Sequence, residues 1–268
     1  MTNPTMATNI TERTGGSKKE PKYCKYCGRE LEQLKWGDEY YLSIYKSCEC
    51  PEALEIKAAE EKEKAKKEQE EKINYLYSKS EMSKRARACK FEDYQLNMYN
   101  SDAFRTCKKY VDNFDLIKNK ARNGLFIVGD CGVGKSHIAF AIANALIEKE
   151  NRVICTSVID LLADLRGNFQ ANATEISTLN KYNLCSLLIL DDLGKEKPTE
   201  WALQTIYSII DNRYNALKPV IVTTNYTASD LIKRFTVGND SQTANAIVDR
   251  LYEMCQYLPI KGESFRKR

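Results

Sequence analysis

The chain of 268 residues has one histidine, no run of about 18 uninterrupted apolar residues, and a formal net charge of only +4. Each shortage removes a class of function. Without a long apolar run there is no membrane-spanning helix to expect, and residues 1–20 are polar and lack the apolar segment of a secretory signal. A cytoplasmic protein with no membrane partner is the expectation. Forty-one basic residues stand against 37 acidic ones, a balance that does not mark the whole surface for nucleic acid, so any such surface must be local. The lone histidine, His137, has no Cys, Asp or Glu at metal-ligand spacing and reads as a structural residue. A hydrophobic fraction of 43% is enough to build one large domain and a small module.

Cysteine, by contrast, is plentiful, with ten in the chain. Six are scattered singly, and Cys155 and Cys185, inside apolar runs, read as small buried hydrophobes. The other four form two close pairs, Cys24-x-x-Cys27 and Cys48-x-Cys50. Such pairs suit tetrahedral zinc, because a short knuckle ending in Gly28 lets two sulfurs of one turn face one metal. With all four positions filled by protein the ion would be structural, and it would supply folding free energy to a segment too short for its own core. Four free thiols or two disulfides are the alternative.

The composition divides the chain into a disordered tail over 1–20, a four-cysteine zinc module over 21–51, a charged helical linker over 52–88 and a large domain over 89–268. Residues 51–72 hold eight Glu and six Lys without Gly or further Pro, the pattern of a solvated helix laced by i,i+4 pairs. Residues 83–90 are locally basic, either a solvated helix face or a nucleic-acid contact. Beyond them, short apolar strands at 125–128, 153–156, 187–190 and 220–223 alternate with helical stretches, which predicts an α/β fold with a mostly parallel five-stranded sheet covered on both faces.

The first of those strands runs into Gly129-Asp130-Cys131-Gly132-Val133-Gly134-Lys135-Ser136, a match to G-x-x-x-x-G-K-[ST] between a strand and a helix. Glycines let successive N–H groups converge on phosphates at the positive end of the following helix. Lys135 would reach the β and γ phosphates and the Ser136 hydroxyl would hold Mg2+. This loop, with His137 after it, is the candidate ATP-binding segment. Cys131 sits where the pattern accepts many residue types, though a thiol there could make the site sensitive to alkylation. Ile138, Ile142 and Leu146 recur every fourth residue and should pack against the sheet.

The run 187–190 ends in Asp191 and Asp192, where the carboxyl edge of a parallel sheet places ligands. Asp191 would complete the Mg2+ shell and Asp192 would polarise an attacking water. A third strand ends in Thr223-Thr224-Asn225; the Asn225 amide can both donate and accept, which suits sensing of the γ-phosphate, although the same residues could form a turn.

Taken with Phe91-Glu92-Asp93-Tyr94, Ile247-Val248-Asp249-Arg250-Leu251 and Gly262-Glu263-Ser264-Phe265-Arg266, these motifs resemble the AAA+ P-loop ATPase domain of the DnaC/DnaI-type replicative helicase loaders, with the IstB-like transposition ATPases as close cousins. The resemblance covers about two thirds of the chain. It implies ATP hydrolysis, a homo-oligomer whose ATP sites are shared between subunits, a replicative DNA helicase as partner, and binding of single-stranded DNA. It implies that Arg250 is an arginine finger reaching a neighbour's γ-phosphate, where a helix-surface ion pair with Asp249 is the plain alternative. It implies that Arg266 is a second phosphate sensor, where a solvated basic tail is the alternative. Phe91 and Tyr94 would pack near the adenine or simply in the core. Arg166, Phe169, Lys181 and Tyr182 are the candidate DNA contacts. The competing readings are an IstB-like ATPase that targets double-stranded DNA for transposition, and a zinc-bearing nucleotide-dependent binding module without turnover.

Overall fold

The computed structural model describes residues 21–36, 39–170, 175–237 and 241–265. The tail over 1–20 and the candidate sensor Arg266 lie outside them. The chain divides into two compact units, Met1–Glu70 and Glu71–Arg268.

The first unit is small. Tyr23 bridges Glu30 across a tight turn, and strands β1 (Gln33–Trp36) and β2 (Glu39–Tyr45) form an antiparallel pair. Helix α1 (Pro51–Lys79) follows and runs on into the second unit. Its Ala, Glu, Lys and Gln content favours helix at every turn, and Lys57–Glu61, Lys64–Glu68 and Lys66–Glu70 pair at i,i+4 with 3.8–4.0 Å between charges. These pairs are exposed, so each contributes only about 0.3–0.5 kcal/mol. From Ile73 onward the helix changes character: Ile73, Leu76 and Tyr77 pack on the apolar core of the second unit. Arg87 caps the helix end, its guanidinium donating to the Tyr77 carbonyl at 2.8 Å and the Met82 carbonyl at 3.2 Å.

The second unit continues with α2 (Lys84–Arg87), α3 (Ser101–Asp112) and α4 (Phe114–Ile117). Then strands and helices alternate: β3 (Gly124–Val128), α5 (Lys135–Glu148), β4 (Val153–Ser157), α6 (Val158–Gln170), α7 (Glu175–Leu184), β5 (Leu187–Leu193), α8 (Glu200–Asn215), β6 (Val220–Thr224), α9 (Ala228–Phe235), α10 (Gln242–Met254) and β7 (Cys255–Pro259). The five strands form one wholly parallel sheet in the order β4-β5-β6-β3-β7. The four strands read from the sequence are all in it; β7, in which exposed Gln256 and Tyr257 stand between buried Cys255 and Leu258, is the fifth.

Side-chain alternation sorts the core. Leu125 and Ile127 of β3 face the layer built from α3 and α5, while Phe126 and Val128 face the layer of α6, α8 and α10. Ile138, Ile142 and Leu146 are fully buried in the first layer, as their spacing predicts. The edge strand β4 is not left open, because the Cys155 N–H donates to the Ser80 carbonyl at 2.9 Å.

At the end of the sheet away from the phosphate loop, Arg213 of α8 is fully buried. Its guanidinium donates to the carbonyls of Tyr182 (2.6 Å) and Cys185 (3.2 Å), at and after the end of α7, and to Pro219 (2.8 Å) before β6. A cation at a helix C-terminus is favourably placed, and here it also occupies acceptors that water cannot reach. Replacing it by Met keeps the volume but orphans those carbonyls, at about 1–3 kcal/mol each. Arg213→Met should therefore lower the unfolding free energy by at least about 3 kcal/mol in urea titrations, without moving the phosphate loop.

Candidate functional site

The strand order places β6 between β3, which feeds the phosphate loop, and β5, which carries the acid pair. The polar end of β6 is thereby set at the centre of the sheet's carboxyl edge. There the β5–β6 ladder breaks between Leu190 and Leu193, and Asp192 adopts a left-handed φ of 60°. Asp is among the few side chains that tolerate this conformation. The interrupted ladder leaves the Asp192 N–H without a carbonyl, and the Thr223 hydroxyl accepts it at 2.9 Å while donating to Asp191 Oδ1 at 2.6 Å. The nearby Ser136 hydroxyl favours the ionised form of Asp191.

The loop itself is shaped by close approach. Gly134 begins α5 with φ of 97°, and a side chain there would press on the Tyr94 ring 3.0 Å away. At Gly129 a methyl group would collide with the carbonyl of Ile260, whose own N–H donates to Val128 O at 2.7 Å. The chain after β7 thus lies over the loop, and the Phe265 N–H donates to Gly132 O at 3.1 Å. Lys135, only 5% exposed, donates to the Asp130 carbonyl at 2.8 Å and to Asn225 Oδ1 at 2.6 Å.

Around these groups is a cavity of about 440 Å3, of the size used for small ligands. Cys131, Gly132, Gly134, Lys135, Ser136, His137, Asp191, Asp192 and Asn225 all line it, so the structure brings together most of the residues read from the sequence. His137 is also structural: its Nε2 donates to the Lys90 carbonyl at 2.9 Å, and its ring meets Tyr94 edge to face. The free N–H groups at the start of α5 and the glycine cradle fit a polyphosphate. A hydroxyl and a carboxylate that line the same cavity, Ser136 and Asp191, are hard oxygen donors of the kind Mg2+ takes.

Two further candidates, Arg250, expected to act on a neighbouring subunit's site, and Arg266, are not among the described residues lining this cavity. Arg250 of α10 does not line the cavity; its Nε donates to Asp211 Oδ1 at 2.5 Å, and its guanidinium lies over the rings of Tyr207 and Tyr214. Arg266 is not among the described residues. Of the candidate DNA contacts, Tyr182 is fully buried with its hydroxyl on Asp164 at 2.9 Å, and Lys181 is ion-paired to Glu81 and Asp164. Arg166 is exposed, over the Trp201 ring at 4.5 Å. The side chain of Phe169 lies outside the described residues.

The sequence reading passed over several cavity residues. Lys195 donates to Asp192 Oδ2 at 2.6 Å. Arg85 and Cys89, from the locally basic segment, form part of the wall, held there because buried Asn144 of α5 donates to the carbonyls of Ala86 (3.0 Å) and Cys89 (2.6 Å). A lone Asn in an otherwise apolar helix face was the available signal. Tyr94, read from the sequence as packing near the adenine or in the core, lines the cavity and stacks on Phe104, and burial pushes its hydroxyl to about 12.

The four N-terminal thiols form a second site. All four sulfurs lie within 4.8 Å of one another, with Cys24–Cys50 at 3.9 Å and Cys27–Cys48 at 3.4 Å. Zinc bonds of about 2.3 Å in a tetrahedron require sulfurs about 3.8 Å apart, so the set fits that ion. The backbone N–H groups of Cys27 and Tyr26 bring the Cys24 thiol down to about 7, while the neighbouring sulfurs and desolvation keep Cys48 and Cys50 raised, so the four do not ionise together without a cation. One zinc per chain is expected by elemental analysis, with loss of the ion in Cys24→Ser and no loss of ATP binding.

Burial raises the pKa of Asp191, and the nearby Asp192 adds to the rise, against hydrogen bonds from Thr223 and Ser136 that lower it. Lys135 is shifted down, first by burial. A carboxyl raised on folding stabilises the fold at low pH and loses that contribution as pH climbs through the folded value. At neutral pH the ionised Asp191 therefore strains the ligand-free protein. Asp191→Asn should raise the melting temperature of the ligand-free chain at pH 7 and remove the stabilisation given by Mg2+ with ATP, both read by thermal unfolding. Toward acid, magnesium-dependent ATP binding by the native chain should weaken at a pH above the ordinary carboxylate range.

A family model described as "IstB-like ATP binding protein" matches residues 49–268. The phage-like element PBSX protein XkdC of Bacillus subtilis (strain 168) is 30% identical over 207 residues, 73% of each chain. The replicative helicase loader DnaI of the same organism is 30% identical over 148 residues, 54% of this chain and 47% of its own, so the match spans about half of that relative. A crystal structure of the DnaC helicase loader matches with a TM-score of 0.58 at 31% identity, covering 67% of this chain and 100% of that one. With the loop, the acid pair and the sheet order in place, the chain belongs to the family of IstB-like ATP-binding proteins and has their AAA+ P-loop fold.

Proposed function

We propose that the protein is an ATP-dependent loader of a replicative DNA helicase, in which ATP binding and hydrolysis switch the grip on helicase and single-stranded DNA. The observation that carries the reading is the meeting of Lys135, Asn225 and the Asp191/Asp192 edge at one cavity, in a chain whose relatives include named helicase loaders. Lys135 holds the β and γ phosphates, Ser136 and Asp191 hold Mg2+, and Asn225 senses the γ-phosphate. Asp192 polarises the lytic water once Lys195 swings from it. Magnesium, when bound, neutralises charge on the phosphoryl oxygens.

Arg250, away from its own chain's cavity, serves the site of a neighbouring subunit, where a guanidinium stabilises charge growing on the γ-phosphate. Assembly of the homo-oligomer is then linked to ATP, since the site is complete only between subunits. Arg266 would contact phosphate within the chain. Zinc would fold the N-terminal module, which, with its helical linker, engages the helicase. The protein acts in the cytoplasm.

Two measurements test this. Asp192→Asn and Arg250→Ala should each lower ATP turnover by about 100-fold or more while nucleotide binding persists, whereas Lys135→Ala should abolish binding itself. Equal turnover in all the variants would leave a nucleotide-dependent binding module. Affinity purification with ATP present should retain a hexameric helicase; retention of a transposase instead would support the targeting ATPase.

A further inference from the structure

The knuckle that bears the first cysteine pair has a second pattern that metal binding does not require. Residues 22–29 read Lys-Tyr-Cys-Lys-Tyr-Cys-Gly-Arg, with cations and aromatic rings interleaved and no Asp or Glu among them. The turn sorts them: the Gly28 N–H donates to Cys24 O at 2.9 Å and the Cys24 N–H to Arg29 O at 2.8 Å. Cys24 is buried by this turn, while Lys22, Tyr23, Lys25, Tyr26 and Arg29 are exposed. Tyr23 is 60% and Tyr26 38% accessible, in a unit short of apolar material for its own core. Lys25 Nζ lies 4.8 Å from the Tyr26 centroid, so charge and ring form one surface.

Large rings left in water beside exposed cations suit a ligand that has both flat apolar faces and anions. The three cations more than offset the charge of a tetrathiolate zinc centre, so the face attracts an anion. An acidic protein surface supplies the anion without stackable faces, and a duplex keeps its base faces covered. A single strand presents both, with bases that stack on aromatic side chains and phosphates that pair with Lys and Arg.

We propose that the exposed face of this knuckle binds single-stranded nucleic acid, Tyr23 and Tyr26 stacking on bases and Lys22, Lys25 and Arg29 pairing with phosphates. The site shares no residue with the ATP cavity, and its assignment does not rest on the loader reading. The test uses the full chain, zinc-loaded and nucleotide-free, titrated against fluorescent oligo(dT) and oligo(U) of about 20 nucleotides. Tyr23→Ala and Tyr26→Ala should each weaken binding about tenfold, while Tyr23→Phe and Tyr26→Phe keep it, because a phenyl ring still stacks. Replacing Lys22, Lys25 and Arg29 by Gln should shrink the log–log salt slope by about 2. The tighter of the two oligomers identifies the natural strand. Three results would overturn the proposal: no binding of either oligomer by the native chain, unchanged affinity in a Tyr23→Ala/Tyr26→Ala chain that retains its zinc, or a loss confined to binding a purified hexameric helicase.

Discussion

One hydroxyl governs the geometry of the phosphate site. Thr223 stands at the end of the central strand β6, accepts the N–H of Asp192 and donates to the carboxylate of Asp191. Without that pair of bonds the break in the β5–β6 ladder would leave a partly buried N–H unsatisfied. With them, the backbone at Asp192 holds its left-handed turn and both acids point to the same edge as the loop. The strand order makes this possible, because only an inserted β6 puts a hydroxyl between the loop strand and the acid strand.

Much of this was legible in the sequence, for definite reasons. Apolar runs of four or five residues between helical stretches fixed four strands, since a strand buried on both faces must be continuous in hydrophobicity. The phosphate loop was legible because its spacing is dictated by the ligand. What escaped notice depends on contacts between distant residues. Strand β7 has exposed Gln256 and Tyr257 between buried Cys255 and Leu258, and so lacks the uniform run of the others. Lys181 and Tyr182 were candidate DNA contacts because the family resemblance placed basic and aromatic groups there, yet the groups that engage them include Glu81, about a hundred residues upstream. Arg213 gave no sign of burial, since nothing local predicts a guanidinium held by carbonyls at the end of α7 and before β6.

The same limits apply to Arg250. Its sequence context allowed an ion pair with Asp249, but the carboxylate that engages it is Asp211 on α8, with Tyr207 and Tyr214 supporting the guanidinium. A cation stacked on two rings and bonded to an acid is held in place, which reduces the conformational entropy lost when it meets a phosphate. It also has a competitor in Asp211, so a γ-phosphate must displace that carboxylate.

Competition of this kind runs through the whole cavity. In the ligand-free chain Lys135 is occupied by Asn225 and the Asp130 carbonyl, Asp192 by Lys195, and Asp191 by the Thr223 hydroxyl. Each of these bonds satisfies a group that burial would otherwise penalise. On the proposed reading, triphosphate does not enter a set of idle groups; it displaces internal partners, and the groups displaced are those named as sensor and as water activator. Asn225 is released from Lys135 only when phosphate takes the ammonium, and Lys195 leaves Asp192 only when another anion draws it. Phosphate binding therefore changes the partners of residues on β5, β6 and α5 together. An exchange of partners that links the ends of two strands with the helix after the phosphate loop is what a nucleotide switch requires, because the ligand's differential contacts with the two arrangements set how far it can shift them.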